Sequence, residues 1–429
     1  MLSWLFLAWT QPTLDIPSAS ADILDDPLQH DALTRLRDLV VTGGGGTWPP
    51  RATYRDSWAL PLRPYDSVYR AMETSFAVAQ SSLDNTHNRQ LIDSFRSRMR
   101  SQLDLHINME DVRSALEAQS EQSCSQSAWL GYFLCMSFLR HSYRWGVTPI
   151  VSEAQNEDSL EFPEQLELPW PYLMRHFGTT SPSGCMTSLM YANMRSDNRL
   201  EYSVTVGMPE SHRSTEFWNT KLITEMEVRV LPMYHLFAHA IVFLEAGDMI
   251  AACDALKSAN EILKMALKYF FATMVDSNLS QQIWMAYVQG YQGWTLGGVD
   301  GISGGQSLIF RTLDSFLGIR PFPAPEKEAL HLPVAQRNWL NFLREYDIRA
   351  AVKARGEEGA AITVELEALV KQLRLWRMGH MRRMQPYESV HRPERKTMTA
   401  GISVVDASDE DHMIEHLKRE LGQRLAQTV

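Results

Sequence analysis

Between Phe217 and Met274 the chain carries two long stretches of helical periodicity, Phe217–Leu244 and Met249–Met274, interrupted only at Gly247. Apolar residues recur there at steps of three and four, the spacing that gives a helix one buried face. From Gly207 onward almost every other segment reads the same way, which commits the second half of the chain to helices. Before residue 207 the pattern is mixed. Helices are expected from Pro64 through Tyr69, Met72, Phe76 and Val78, and over Ser127–Trp145, where Leu130, Phe133, Leu134, Phe138 and Leu139 keep step. A further helix is expected over Leu166–Phe177, with Pro169 and Pro171 in its first turn, where the missing N–H groups do little harm. Arg199–Val206 (RLEYSVTV) alternates apolar and polar residues and is the best strand candidate. Residues 1–60 read as loop-rich, punctuated by Gly43-Gly44-Gly45-Gly46 and Pro49-Pro50. The expected architecture is mainly α: a small mixed α(+β) N-terminal domain, residues 1–207, and a larger all-helical domain, residues 208–429.

With 429 residues, 45% of them hydrophobic, the chain can bury a large core. Its formal net charge of −10 argues against nucleic acid and anionic lipid as partners. Four cysteines, Cys124, Cys135, Cys185 and Cys253, are too few and too scattered for a disulfide framework or a CxxC zinc site, and they point to a reducing, cytoplasmic setting. Met1–Trp9 is apolar and Ser18–Ala21 is made of small residues, a faint likeness to a signal peptide. No basic residue precedes the apolar run, and the expectation is a staple that packs on the body. Elsewhere nothing approaches the ~18 uninterrupted apolar residues of a membrane span.

The candidate chemistry is sparse. Gly297-Gly298-Val299-Asp300-Gly301-Ile302-Ser303-Gly304-Gly305-Gln306-Ser307 precedes a helix expected over Leu308–Leu317 and closed by Gly318. It lacks the GK[ST] ending of a phosphate loop, so it reads either as a connector or as backbone that can approach a flat ligand. His235 and His239 share one helix face, but HLFAH lacks the acid of a zinc-protease motif, and ordinary amphipathic histidines are expected. Gly301-Ile302-Ser303-Gly304-Gly305 matches a nucleophile elbow in letters only. The segment Glu365–Met384 is more informative. It sets Leu366, Leu369, Leu373, Trp376, His380 and Met384 on one stripe, with Arg377 one turn before His380. A histidine there is either a satisfied core residue or a metal ligand. An apolar wall with a ligating histidine and an arginine to pair carboxylates is what a helix holding haem needs.

Several segments together resemble the indoleamine 2,3-dioxygenase family, haem enzymes that oxidise tryptophan. Ser303-Gly304-Gly305-Gln306-Ser307 running into Phe310, Asp314 and Leu317-Gly318-Ile319 is similar to the family's SAGQS…F…D..LGI. Leu332-Pro333-Val334-Ala335-Gln336-Arg337-Asn338-Trp339-Leu340 is similar to MPPAHRNFL. Leu375-Trp376-Arg377-Met378-Gly379-His380 is similar to LRSYH. Weaker likenesses, at Tyr143-Arg144-Trp145-Gly146, Leu166-Glu167-Leu168-Pro169, Phe217-Trp218 with Glu225, and Gly293-Trp294, fall in family order.

The resemblance implies a small N-terminal domain and a larger helical domain enclosing haem b. It implies that His380 ligates the iron, that Arg377 pairs a propionate, and that Ser303 and Gly304 line the haem edge. O2 is then the co-substrate, an indole the small-molecule substrate, and an electron donor keeps iron ferrous. No side chain beyond the haem iron is expected to be catalytic, and a monomer is expected. Counting from the matched motifs, the pocket positions fall on Met174, Phe177, Gly178, Phe217, Lys221, Ile283, Trp284 and Val288. Here the chain departs from its likeness. The family arginine that binds the tryptophan carboxylate is Val288, a small position is Lys221, the family histidine of MPPAHRNFL is Gln336, and the C-terminal Gly-Thr loop is reduced to Thr399-Ala400-Gly401-Ile402-Ser403. A desolvated carboxylate without a cation costs several kcal/mol. Unless Lys221 supplies the charge, the expected substrate is an indole whose carboxylate is masked or absent. Monooxygenation of an indole metabolite, or haem carriage or sensing without turnover, are the alternatives.

Overall fold

One helix, α8 (Glu210–Ala246), runs through the centre of the molecule, and the rest is arranged around it. The computed structural model describes residues 16–52, 54–76, 84–118, 124–146, 160–289, 291, 302–321, 324–388, 419 and 421–428. Among these there is no strand, and the chain is mainly helical. The α8 helix closes at Gly247, whose φ of +80° is the left-handed conformation a glycine adopts without strain. Asp248 then caps α9 (Met249–Thr273) by accepting from the Ala251 amide at 2.9 Å, and the two helices pack along each other. Among the described residues α8 is the one helix long and apolar enough to cross a membrane, but most of that stretch is buried by its neighbours, as in a core helix.

Around this pair lie α10 (Leu308–Phe316), α11 (Val334–Tyr346) and α12 (Ala360–Glu388). The α10 helix is enclosed on all sides and ends where expected, at Gly318 with φ +68°. The α12 helix lies on α9, and its register is fixed by polar contacts in an otherwise apolar seam. Asn260 Nδ2 donates to the Glu365 carbonyl at 3.0 Å, and Gln372 Nε2 donates to Asn260 Oδ1 at 2.7 Å. Before α8 come α3 (Pro64–Met72), α6 (Gln126–Trp145) and α7 (Pro169–Phe177), close to their expected positions.

The structure departs from the sequence reading in three places: two expectations are overturned, and one stretch without an assignment is helical. First, residues 1–60 are not loop-rich throughout. Ile16–Leu24 forms α1 and Asp31–Asp38 forms α2, capped by His30 Nδ1, which accepts from the Ala32 amide at 3.1 Å. Ser18–Ala21 lies inside α1. Leu33, Leu36 and Leu39 anchor this segment in the core, and α2 packs on both α8 and α11. Second, Asn85–His106 and Met109–Glu117 form α4 and α5, whose polar outer faces weaken the periodic signal.

Third, Arg199–Val206 is not a strand. Beyond the Arg195–Arg199 and Asn193–Glu201 backbone bonds, side chains meet its backbone groups. Asn193 Oδ1 accepts from the Tyr202 amide (2.8 Å) and Asn193 Nδ2 donates to the Tyr202 carbonyl (2.9 Å). Buried Glu216 accepts from the amides of Val204 (2.8 Å) and Thr205 (3.0 Å). The alternation in sequence reports alternating burial, while side chains take up part of the hydrogen bonding that a ladder would supply. An isolated bridge between Met194 and Leu200 is the only pairing here among the described residues.

Position 207 marks a change of composition, yet packing crosses it. Glu227 of α8 is fully buried and collects donors from distant segments: Trp48 Nε1 (3.2 Å), Tyr191 Oη (3.1 Å), Tyr234 Oη (2.9 Å) and the Ile309 amide (2.9 Å). Burial raises its pKa against the pull of these donors. The four cysteines are buried and unpaired. Met1–Trp9, Gly293-Trp294, Gly297–Gly301 and Thr399–Ser403 lie outside the described residues.

Candidate functional site

The stripe expected on α12 is real. Leu366, Leu369, Leu373 and Trp376 are buried against α9, and His380 continues the same face one turn on, half-buried. The His380 ring lies flat against Trp376 (centroids 4.9 Å apart, 8° between planes) and edge-on to Phe270 (5.8 Å). Phe310 of α10 stacks on the other face of the same cluster, 3.8 Å from Trp376. An aromatic wall three rings deep therefore ends in an imidazole. No hydrogen-bond partner for that imidazole is found among the described residues, and burial pushes its pKa down to about 4. A neutral ring is the form that binds a metal.

Gly379, the neighbouring residue, permits the close contact of α12 with α9. A Cβ there would sit 2.7 Å from Phe271 Cζ. Beside it opens a cleft of about 620 Å³ lined by Phe271, Met274, Val275, Gln281, Gly379 and Arg383. Its size falls in the range of small-molecule and cofactor sites. Asp276 and Arg382 complete the lining, and none of the expected site residues is part of it: Gly379 and Gln281 are near His380 and Ile283 in sequence only.

Arg377 is buried and has found its anion inside the chain. Its Nη2 donates to both oxygens of Asp314 (2.7 and 2.9 Å), and its Nη1 to Thr428. Arg424 pairs with the same carboxylate. Asp314 is 2% exposed. Burial raises its pKa while the two guanidiniums pull it back. One turn earlier on α10, Arg311 shares Glu328 with Arg344, whose bidentate contacts are 2.8 and 2.9 Å. Despite its burial, these two arginines hold Glu328 below the usual carboxylate range. Each triad has two cations to one anion, and Arg377 of the first stands one turn before His380 on α12.

Ser303 and Gly304 form a tight turn ahead of α10. Ser303 is half-buried, Gly304 is exposed, and a Cβ on Gly304 would meet nothing within 4 Å. Protein packing therefore does not require this glycine. Phe217 and Lys221 lie on the first turns of α8, which packs on the irregular segment after α9 that carries Ile283, Trp284 and Val288. Trp284 Nε1 donates to Asn219 Oδ1 at 2.9 Å. Val288 is buried, so an apolar residue stands where the likeness has an arginine. Lys221 is engaged by Asn198 Oδ1 (2.5 Å) and Glu225 (3.3 Å), with Phe217 5.9 Å away. Its charge is already answered.

Met174, Phe177 and Gly178 have their described partners elsewhere. Phe177 stacks on Phe133 of α6 at 4.7 Å, and Met174 packs on the core. Gly178 ends α7 at φ +62°, where a Cβ would strike Val334 at 2.7 Å. These are packing roles against α6 and α11. Gln336, at the family's histidine position, donates to Thr187 Oγ1 at 2.6 Å. Phe270 has no signal in the sequence as a neighbour of His380, because that contact is made across helices. Comparison of the chain with known protein families and with characterised proteins finds no match.

Proposed function

We propose that this chain is a haem-dependent dioxygenase of the indoleamine 2,3-dioxygenase kind, acting on an indole whose carboxylate is masked or absent. The carrying observation is His380: an imidazole at the end of an aromatic wall, with no hydrogen-bond partner among the described residues and one turn from the Arg377–Asp314–Arg424 cluster. In this reading the region after residue 207 is the haem domain and the segment before it a smaller N-terminal domain.

His380 would hold the iron, and the surplus charge of Arg377 and Arg424 over Asp314 would face the propionates. When bound, haem supplies the activation of O2, whose two atoms enter across the indole C2=C3 bond and open the ring to an N-formyl product. The chain's own work is to orient the indole against Trp284, Phe217 and Val288 and to keep water out. Val288 offers no charge, and Lys221 is held by Glu225, so a free carboxylate gains little there. Electrons from an external donor keep the iron ferrous. Buried, unpaired cysteines suit a cytoplasmic site of action.

The test supplies haem to purified wild type and to His380→Ala. Wild type should take up one haem per chain, and the variant should lose the axial-ligand spectrum. Wild type is then reduced under labelled O2 with tryptophan, tryptophan peptides and tryptamines. A product from a masked or decarboxylated indole that retains both labelled atoms supports the reading. Retention of one atom makes the chain a monooxygenase. A normal haem spectrum without any indole product makes it a carrier or sensor. An unchanged haem spectrum in the variant refutes the site.

A further inference from the structure

A second cluster lies far from His380 in sequence. His235 and His239 stand one turn apart on α8, with ring centroids 4.3 Å apart. Asp26, from the link between α1 and α2, reaches across to both. Its Oδ2 lies 2.6 Å from Nε2 of each histidine. One nitrogen from each ring and one carboxylate oxygen thus converge within 4.8 Å. The missing acid of HLFAH is supplied by another segment.

We propose that Asp26, His235 and His239 form a binding site for a divalent transition ion of the zinc class, which staples residues 16–38 to α8. Two imidazoles and one carboxylate are the donor set such ions prefer, with a fourth position left for water. The carboxylate is oriented, because Asp26 Oδ1 accepts from the Leu28 amide at 2.9 Å, leaving Oδ2 for the histidines. The loop carrying it is held in turn by Arg37, which donates to the carbonyls of Asp26 and Leu28. The Asp26 side chain is 4% exposed, whereas those of His235 and His239 are 16% and 23% exposed, which gives an entry path from solvent.

Tetrahedral bonds of about 2.0–2.2 Å place ligand atoms roughly 3.3 Å apart. The present 2.6 Å contacts are hydrogen bonds, so binding requires Asp26 and the two histidines to part by about 0.7 Å and each neutral ring to carry its proton on Nδ1 instead of Nε2.

The experiment uses full-length protein stripped of metal. Zn²⁺ is titrated against a chromophoric competitor, and Co²⁺ is added separately to read the ligand field. Wild type and His380→Ala should each bind one ion per chain, which separates this site from the haem proposal. Asp26→Asn and His239→Gln should weaken binding by 10-fold or more and abolish the tetrahedral Co²⁺ bands. Limited proteolysis should show residues 16–38 protected by Zn²⁺ in wild type and released by chelator. Failure to take up stoichiometric Zn²⁺ at micromolar concentration overturns the proposal, leaving a hydrogen-bonded latch. So does uptake that both variants retain.

Discussion

Asp314→Asn keeps the shape of the side chain and removes the one negative charge that Arg377 and Arg424 share. Asp314 is 2% and Arg377 7% exposed, so solvent cannot take over the carboxylate's role. Removing one member of a buried ion pair costs about 3–5 kcal/mol, because a buried charge is left without compensation. Here two guanidiniums are left facing each other, which favours the upper end. The Thr428 hydroxyl on Arg377 favours the lower. Even about 3 kcal/mol is a large part of the roughly 5–15 kcal/mol that holds a folded protein together. Urea denaturation, which adds no ions, is the suitable assay. Arg377→Met alone and combined with Asp314→Asn completes a cycle, and a coupling of about 1–3 kcal/mol is expected. Because the pair is buried, the loss should persist in high salt. A loss below about 1 kcal/mol, or strictly additive variants, would show that water screens the triad and that the cluster is not a buried charge reservoir.

Three further outcomes follow from the same geometry. Glu227→Gln turns one of the two acceptor oxygens into a donor facing Trp48 and Tyr234, and should cost about 2–4 kcal/mol by urea denaturation. A change under about 0.5 kcal/mol would mean that the carboxyl is already protonated. His141 and His331 are both buried, and burial holds each near a pKa of about 4, with Arg311 and Lys327 adding to it at His331. The unfolded chain therefore takes up protons that the folded one refuses. Stability is full above about pH 6.5 and falls as pH drops towards 4, by up to about 3 kcal/mol for each ring. A flat stability profile across that window refutes it. Gly379→Ala gains about 1 kcal/mol of helix propensity but drives a methyl to 2.7 Å from Phe271. A net loss of about 1–2 kcal/mol with weakened haem uptake is expected, and a stabilised variant with normal uptake would show that the helices part freely.

The helices with two clean faces were legible. The α8 and α9 pair, Gly247 between them, α10 with Gly318, and the α12 stripe as far as His380 all follow from periodicity and glycine placement. What failed did so for physical reasons. Alternation at Arg199–Val206 signals alternating burial, and the sequence does not say whether a strand or the side chains of Asn193 and Glu216 will satisfy the backbone. The polar helices α4 and α5 show only a weak periodic signal. Asp314 was ambiguous because a carboxylate on a buried helix makes sense only once Arg424, far along the chain, is known to meet it. Asp26 was invisible for the same reason. A side chain's partner across the fold is not written in its neighbourhood.

The carboxylate of Glu227 is satisfied only when Trp48, Tyr191 and the start of α10 have all arrived around it. Stretches so far apart along the chain close last, since their loop entropy must be overcome before any of these bonds forms. Glu227 therefore belongs to the end of the folding reaction, and its variants should quicken the rate at which the native state opens while leaving the rate of its formation almost untouched.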